Sequence, residues 1–136
     1  MLIELVNQGN YHFLAKNESG KNISIDAAPA IGGENKGVRP MELLIMGLGG
    51  CSGIDIVNIL KKQKIELNKL EIKIDAEREP DAVPSLFRKI HMKFVFDNTT
   101  DKAKAERAVY LSLEKYCSVA KTLEKTAEIT HEIIFE

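Results

Sequence analysis

Arg39-Pro40-Met41-Glu42-Leu43-Leu44-Ile45-Met46-Gly47-Leu48-Gly49-Gly50-Cys51-Ser52 opens the longest apolar stretch of the chain. Ile54, Ile56, Val57, Ile59 and Leu60 continue it. Proline is favoured at the first helical position, where its missing N–H costs nothing. Glu42 adds negative charge to the first turn, which suits the helix dipole. The stretch predicts a helix from Pro40 to about Lys64, about 37 Å long at ~1.5 Å per residue. Apolar nearly all round, such a helix belongs inside the fold as its spine. Glycines 47, 49, 50 and 53 would each weaken an exposed helix by ~1 kcal/mol. They make sense if another backbone passes close by or if the helix bends.

Outward from this helix, the rest of the chain falls into short alternating segments. Leu2–Val6, Tyr11–Ala15 and Asn22–Ala27 are β-prone and separated by Asn- and Gly-rich turn sequences, which predicts an antiparallel meander. A glycine-bearing loop, Pro29 to Val38, leads into the helix. Beyond it, Leu70–Glu79 places Leu70, Ile72, Ile74 and Ala76 on one face. Leu86–Asp97 does the same with Ile90, Met92, Phe94 and Phe96, and Pro80–Pro84 joins the two as a hairpin. Asn98-Thr99-Thr100-Asp101 caps a helix to about Cys117, with Ala105, Ala108, Val109, Ser112 and Tyr116 along one stripe. Ser118 opens a further short turn to Leu123. A last strand, Glu128–Phe135, carries Ile129, His131, Ile133 and Phe135 on one face. Strands in blocks, in the order β-β-β-α-β-β-α-β, read as α+β in a single domain spanning 1–136.

Composition excludes several function classes. Apolar residues make up 44% of 136, enough for a real core. Nineteen Lys and Arg nearly balance twenty Asp and Glu, so neither nucleic acid nor an anionic membrane is an expected partner. The uncharged run Leu43 to Ile54 is too short to span a bilayer. Met1-Leu2-Ile3-Glu4 carries no signal-peptide pattern. Two cysteines are too few for a disulfide scaffold, so a reducing cytoplasm is the expected compartment.

The two thiols carry the chemistry. Cys51 lies in the glycine-rich helix and Cys117 where the second helix ends. A pair so placed is a candidate redox couple, one sulfur attacking and the other resolving. Inert packing is the competing explanation, because free cysteines are among the most buried residues. Cys51 is about three turns into its helix, too deep for the N-terminal dipole to favour a thiolate. Positive charge must come from tertiary contact, with Arg39, Arg88 and Lys121 as candidates. Other motifs fail. Ser52 occupies the third glycine position of a dinucleotide fingerprint, and no nucleophile elbow or phosphate loop is present. The three histidines stand alone. His131, on an apolar strand face, reads as a hydrogen-bonded core imidazole, and two cysteines without paired histidines make a zinc site improbable.

Residues 39–52 with the helix that follows resemble the cysteine helix of the OsmC/Ohr family of osmotically inducible and organic hydroperoxide resistance proteins. Cys117-Ser118-Val119, ending the next helix before a short turn and a terminal strand, matches the family's second signature, and the order of elements agrees over essentially the whole chain. The resemblance implies an intertwined homodimer with its long helices packed centrally. It implies a thiol peroxidase in which Cys51 attacks an organic hydroperoxide and Cys117 condenses with the resulting sulfenic acid. A thiol reductant, such as a dihydrolipoyl group, would restore both thiols with no metal or flavin.

The chain departs from the family pattern at two points. No arginine precedes Arg39, and Met41 stands where a glutamate usually follows the helix-opening proline. Arg39 and Glu42 are the candidate replacements, although Glu42 lies about 100° further round the helix. The competing function on the same fold is a non-catalytic protein that binds a small apolar ligand at the dimer interface, or a slow thiol redox sensor.

Overall fold

The computed structural model describes all 136 residues, and the chain divides into two compact units, Met1–Leu44 and Ile45–Glu136. In the first, β1 (Glu4–Gly9), β2 (His12–Lys16) and β3 (Asn22–Ile25) form the expected antiparallel meander in the order β1-β2-β3. The first turn is tighter than its sequence suggests. Asn7 and Gly9, expected in the turn, pair with Phe13 and His12. The Asn7 side chain supplies the turn's bonds, accepting from Gly9 N–H and donating to the Asn10 carbonyl, each at 3.0 Å.

The loop after β3 is organised by Asp26, whose buried carboxylate accepts from the N–H groups of Ala27, Glu34 and Lys36. These donors, Lys36 foremost, hold its carboxyl below the usual carboxylate range while burial pulls the other way. A 3₁₀ turn, Pro29–Ile31, lies within this loop.

Helix α1 spans Pro40–Lys62, beginning on the proline as expected and ending two residues short of Lys64. At 23 residues it is longer than the uncharged run within it. By length and composition alone it would pass for a membrane span. The same test is passed by core helices, and Gly49 and Gly53 of α1 stand against Ile74 and Ile72.

The second unit adds β4 (Leu70–Arg78), β5 (Phe87–Phe96), α2 (Lys102–Leu111), a π-helical turn (Ser112–Tyr116), α3 (Ser118–Leu123) and β6 (Glu128–Phe135). Its sheet has the order β4-β5-β6. Strands β4 and β5 are antiparallel, with Ile72 opposite Phe94 and Ile74 opposite Met92. Strand β6 runs parallel to β5, and the intervening helices provide the crossover that a parallel pair requires. Asp101 caps α2 through its side chain, which accepts from Lys104 N–H at 3.1 Å.

Only one face of α1 is buried within the chain, that of Leu48, Ser52, Ile56 and Leu60 at four-residue spacing. These residues share a core with Ile90, Met92, Phe94 and Phe96 of β5 and Ala105, Ala108 and Val109 of α2. Gly49 and Gly53 set how close α1 lies to the sheet. A Cβ at either would stand 3.2 Å from the Cδ1 of Ile74 or Ile72 on β4. Gly47 and Gly50 meet nothing within 4 Å, and Ile54 is 72% exposed. The all-round apolar pattern therefore exceeds what one chain buries.

Two side chains depart from expectation. His131 is exposed because β6 is an edge strand, and its ring pairs T-shaped with Phe94, 6.3 Å between centroids. Tyr116 leaves the buried stripe of α2 because the π turn inserts an extra residue. The close approach of α1 to β4 has a direct test. Gly53→Leu forces the helix away from Ile72 and should lower stability by about 1–3 kcal/mol, read as a lower denaturant midpoint.

Candidate functional site

Helix α1 and the π turn bring together Cys51, Asp55 and Cys117, whose Sγ and carboxylate oxygen atoms all lie within 4.8 Å of one another. Cys51 and Asp55 are four residues apart, so one helical turn places them on the same side of α1. Cys117 arrives from the opposite side. Its N–H donates to the Ser112 carbonyl at 2.7 Å, the i→i+5 bond that closes the π turn. Ser112 also reaches α1 with its hydroxyl, which donates to Asp55 Oδ2 at 3.1 Å. One residue thus fixes the backbone of the thiol and the side chain of the carboxylate.

The two thiols differ in environment. Cys51 is half-buried and Cys117 is fully buried. Burial pushes the Cys117 thiol up to about 11, and the neighbouring Cys51 sulfur pushes the same way. Ala120 N–H, which donates to Cys117 Sγ at 3.4 Å, opposes this shift. Cys117 therefore holds its proton at neutral pH. Cys51 is thus the half-buried sulfur of the pair and Cys117 the sheltered one.

The sequence analysis singled out both cysteines and missed Asp55. The available signal was the Cys51-x-x-x-Asp55 spacing, which aligns two polar groups on an otherwise apolar helix. Asp55 also supplies the third donor that a count of histidines overlooks. Two sulfurs and a carboxylate fall one donor short of the four that a tetrahedral metal site takes.

The candidate cations have other partners. Arg88 donates to Glu79 Oε2 at 2.8 and 3.0 Å and to the Thr126 carbonyl. Lys121 pairs with Glu124 at 3.3 Å. The Arg39 guanidinium donates to the Gly37 carbonyl and to Asn35 Oδ1. Glu42 meets Arg39 through the backbone, accepting its N–H at 2.7 Å, so this carboxylate at the third helical position reaches back to cap the helix start.

Beside α1 runs an open groove of 730 Å³, bordered by Ile54, Asp55, Val57, Leu67, Leu70 and Ile72. Asp55 also borders a second cavity of 450 Å³ with Ile59, Leu111 and Tyr116. Asp55 is thus a residue common to both cavities.

The chain resembles known proteins along nearly its whole length. The family model described as OsmC-like protein matches residues 33–132, which include both cysteines and Asp55. Protein YhfA of Escherichia coli K12 is 42% identical over 120 residues, covering 88% of this chain and 86% of that protein. A hypothetical protein from Aquifex aeolicus VF5 superposes with a TM-score of 0.81 at 34% identity, covering 99% of this chain and 96% of the other. The organic hydroperoxide resistance protein OhrB of Bacillus subtilis shares the architecture at a TM-score of 0.65 and 22% identity, with 98% of each chain covered.

The contrast between the thiols generates a prediction. In the native protein at neutral pH, iodoacetamide should modify Cys51 alone, as peptide mapping would record. The raised Cys117 value stabilises the fold fully below the ordinary thiol value of 9.0 and is lost as pH rises toward about 11. Melting temperature should accordingly fall over that window, and Cys117→Ala should flatten the fall.

Proposed function

The chain belongs to the OsmC-like protein family, and on that premise we propose that it is a dimeric, cysteine-dependent peroxidase of the cytoplasm acting on organic hydroperoxides. The observation that carries this reading is an accessible thiol, Cys51, held within 4.8 Å of a buried one, Cys117. OhrB, which shares the fold, is named for organic hydroperoxide resistance.

The cycle follows from ordinary thiol chemistry. The Cys51 thiolate attacks the O–O bond of ROOH. That bond breaks, the alkoxide leaves with a proton as ROH, and Cys51 becomes a sulfenic acid. Cys117 then attacks the sulfenic sulfur, forming the Cys51–Cys117 disulfide and releasing water. An external dithiol, such as a dihydrolipoyl group, reduces the disulfide and is itself oxidised. Arg39 and Glu42 enter the proposal at the head of the cysteine-bearing helix. Glu42 fixes the Arg39 backbone there, and Gly37 and Asn35 hold the Arg39 guanidinium.

A second copy of the chain accounts for the bare face of α1, where Met46 and Ile54 are exposed and Gly47 and Gly50 have open space. Burying that face supplies the hydrophobic gain that its composition anticipates. Light scattering should give twice the 15.2 kDa chain mass.

The apolar groove favours a second reading, in which a small ligand occupies the groove and the thiols stay inert. Steady-state turnover separates the two. With dihydrolipoamide and cumene hydroperoxide, the wild-type protein should consume peroxide continuously, Cys51→Ser should consume none, and Cys117→Ser should stop after one equivalent. Turnover surviving in Cys51→Ser would contradict the mechanism. No turnover in folded wild-type protein would leave the groove as the functional feature.

A further inference from the structure

We propose that Asp55 moves the proton in the step that closes the disulfide: its carboxylate takes the proton from the Cys117 thiol as that sulfur attacks the Cys51 sulfenic acid, and delivers it to the departing hydroxyl. The inference rests on the redox-couple reading above and names the acid–base group of that same site.

The resolving step has a proton to move. Cys117–SH and Cys51–SOH become one S–S bond and one water. Two electrons pass from the Cys117 sulfur to the sulfenic sulfur, the S–H and S–O bonds break, and hydroxide leaves only if protonated. A carboxylate that faces both sulfurs can accept the one proton and return it, ending the step unchanged.

The geometry fits this task. Asp55 lies within 4.8 Å of both sulfurs, a gap that one water or a small side-chain rotation closes. Ser112 donates to Oδ2, which fixes the carboxylate beside the two sulfurs. The same Ser112 holds the Cys117 backbone through its carbonyl, so donor and acceptor are positioned from one point. The buried Cys117 thiol must shed its proton as its sulfur attacks, so the step needs a base beside it. The other titratable groups bordering Asp55 are Lys61 and Lys69 in one cavity and Lys62 and Tyr116 in the other. Of the groups in the cluster, only Asp55 can accept a proton without being consumed by the sulfur chemistry.

Rapid acid quench with intact-mass detection resolves the two steps, since sulfenic acid adds one oxygen and the disulfide removes two hydrogens. Reduced wild-type protein and Asp55→Asn would each be mixed with one equivalent of cumene hydroperoxide across a range of pH. Asparagine keeps the shape and can still accept from Ser112, so the variant removes the base and spares the scaffold. Asp55→Asn should form sulfenic acid as fast as wild type and close the disulfide about 100-fold more slowly at neutral pH. Its closing rate should climb about tenfold per pH unit as hydroxide replaces the missing base, while wild type stays nearly flat. Asp55→Ala, which also removes the carboxylate, should show the same steep profile and carries the comparison should Asp55→Asn not fold.

Disulfide closure in Asp55→Asn within about threefold of wild type overturns the role of Asp55 and leaves the redox couple standing. Slowing by the same factor at every pH overturns it too, since that marks a structural effect. If wild-type protein shows neither mass change, the redox-couple reading falls and the Asp55 proposal falls with it.

Discussion

Ser112 is the point on which the site depends. Its hydroxyl donates to Asp55 on α1, and its carbonyl accepts the Cys117 N–H across the π turn. Neither bond is strong alone, about 1 kcal/mol net each, but together they set a distance. An α-helical continuation of α2 would turn Cys117 by about 100° for the residue inserted, and the sulfur would leave α1. π turns recur at functional sites for this reason, because a single added residue re-aims the side chains that follow it.

Helix α1 answers to two demands at once. Leu48, Ser52, Ile56 and Leu60 repeat every four residues and bury one stripe, with Gly49 and Gly53 letting that side settle on Ile72 and Ile74 of β4. Cys51 and Asp55 repeat with the same spacing, one residue earlier, so their stripe flanks the buried one. Half-burial follows from that position. Cys51 is near enough to the core to meet Cys117 and near enough to the surface to stay half-buried. The opposite face, with Ile54 open, carries the apolar residues that the chain does not cover itself.

Much of this was legible in the sequence. Pro40 marked the start of α1 and Glu42 its first turn. Strict alternation placed β4, β5 and β6, the last with the bounds expected, and Cys51 and Cys117 stood out by their contexts. What stayed hidden were the tertiary facts. The i→i+5 bond at Ser112 leaves no mark in periodicity, so the second helix was expected to run unbroken to Cys117 and Tyr116 to stay on its buried stripe. His131 sits in an apolar alternation, yet β6 is an edge strand and exposes it. Asp55 went unnoticed because nothing in the sequence shows Ser112 and Cys117 brought opposite it. Gly49 and Gly53 could be recognised as packing glycines, but not distinguished from Gly47 and Gly50, which face open space.

The central claim is that Cys51 and Cys117 form one redox couple that an organic hydroperoxide can oxidise. The most direct measurement is tryptic mapping of non-reduced protein after a single equivalent of hydroperoxide, timed over seconds to minutes. The account predicts a new cross-linked peptide joining the Cys51 and Cys117 segments, formed without free sulfenic acid accumulating and erased by a dithiol. Recovery of both peptides as free thiols from folded, peroxide-treated protein would contradict it.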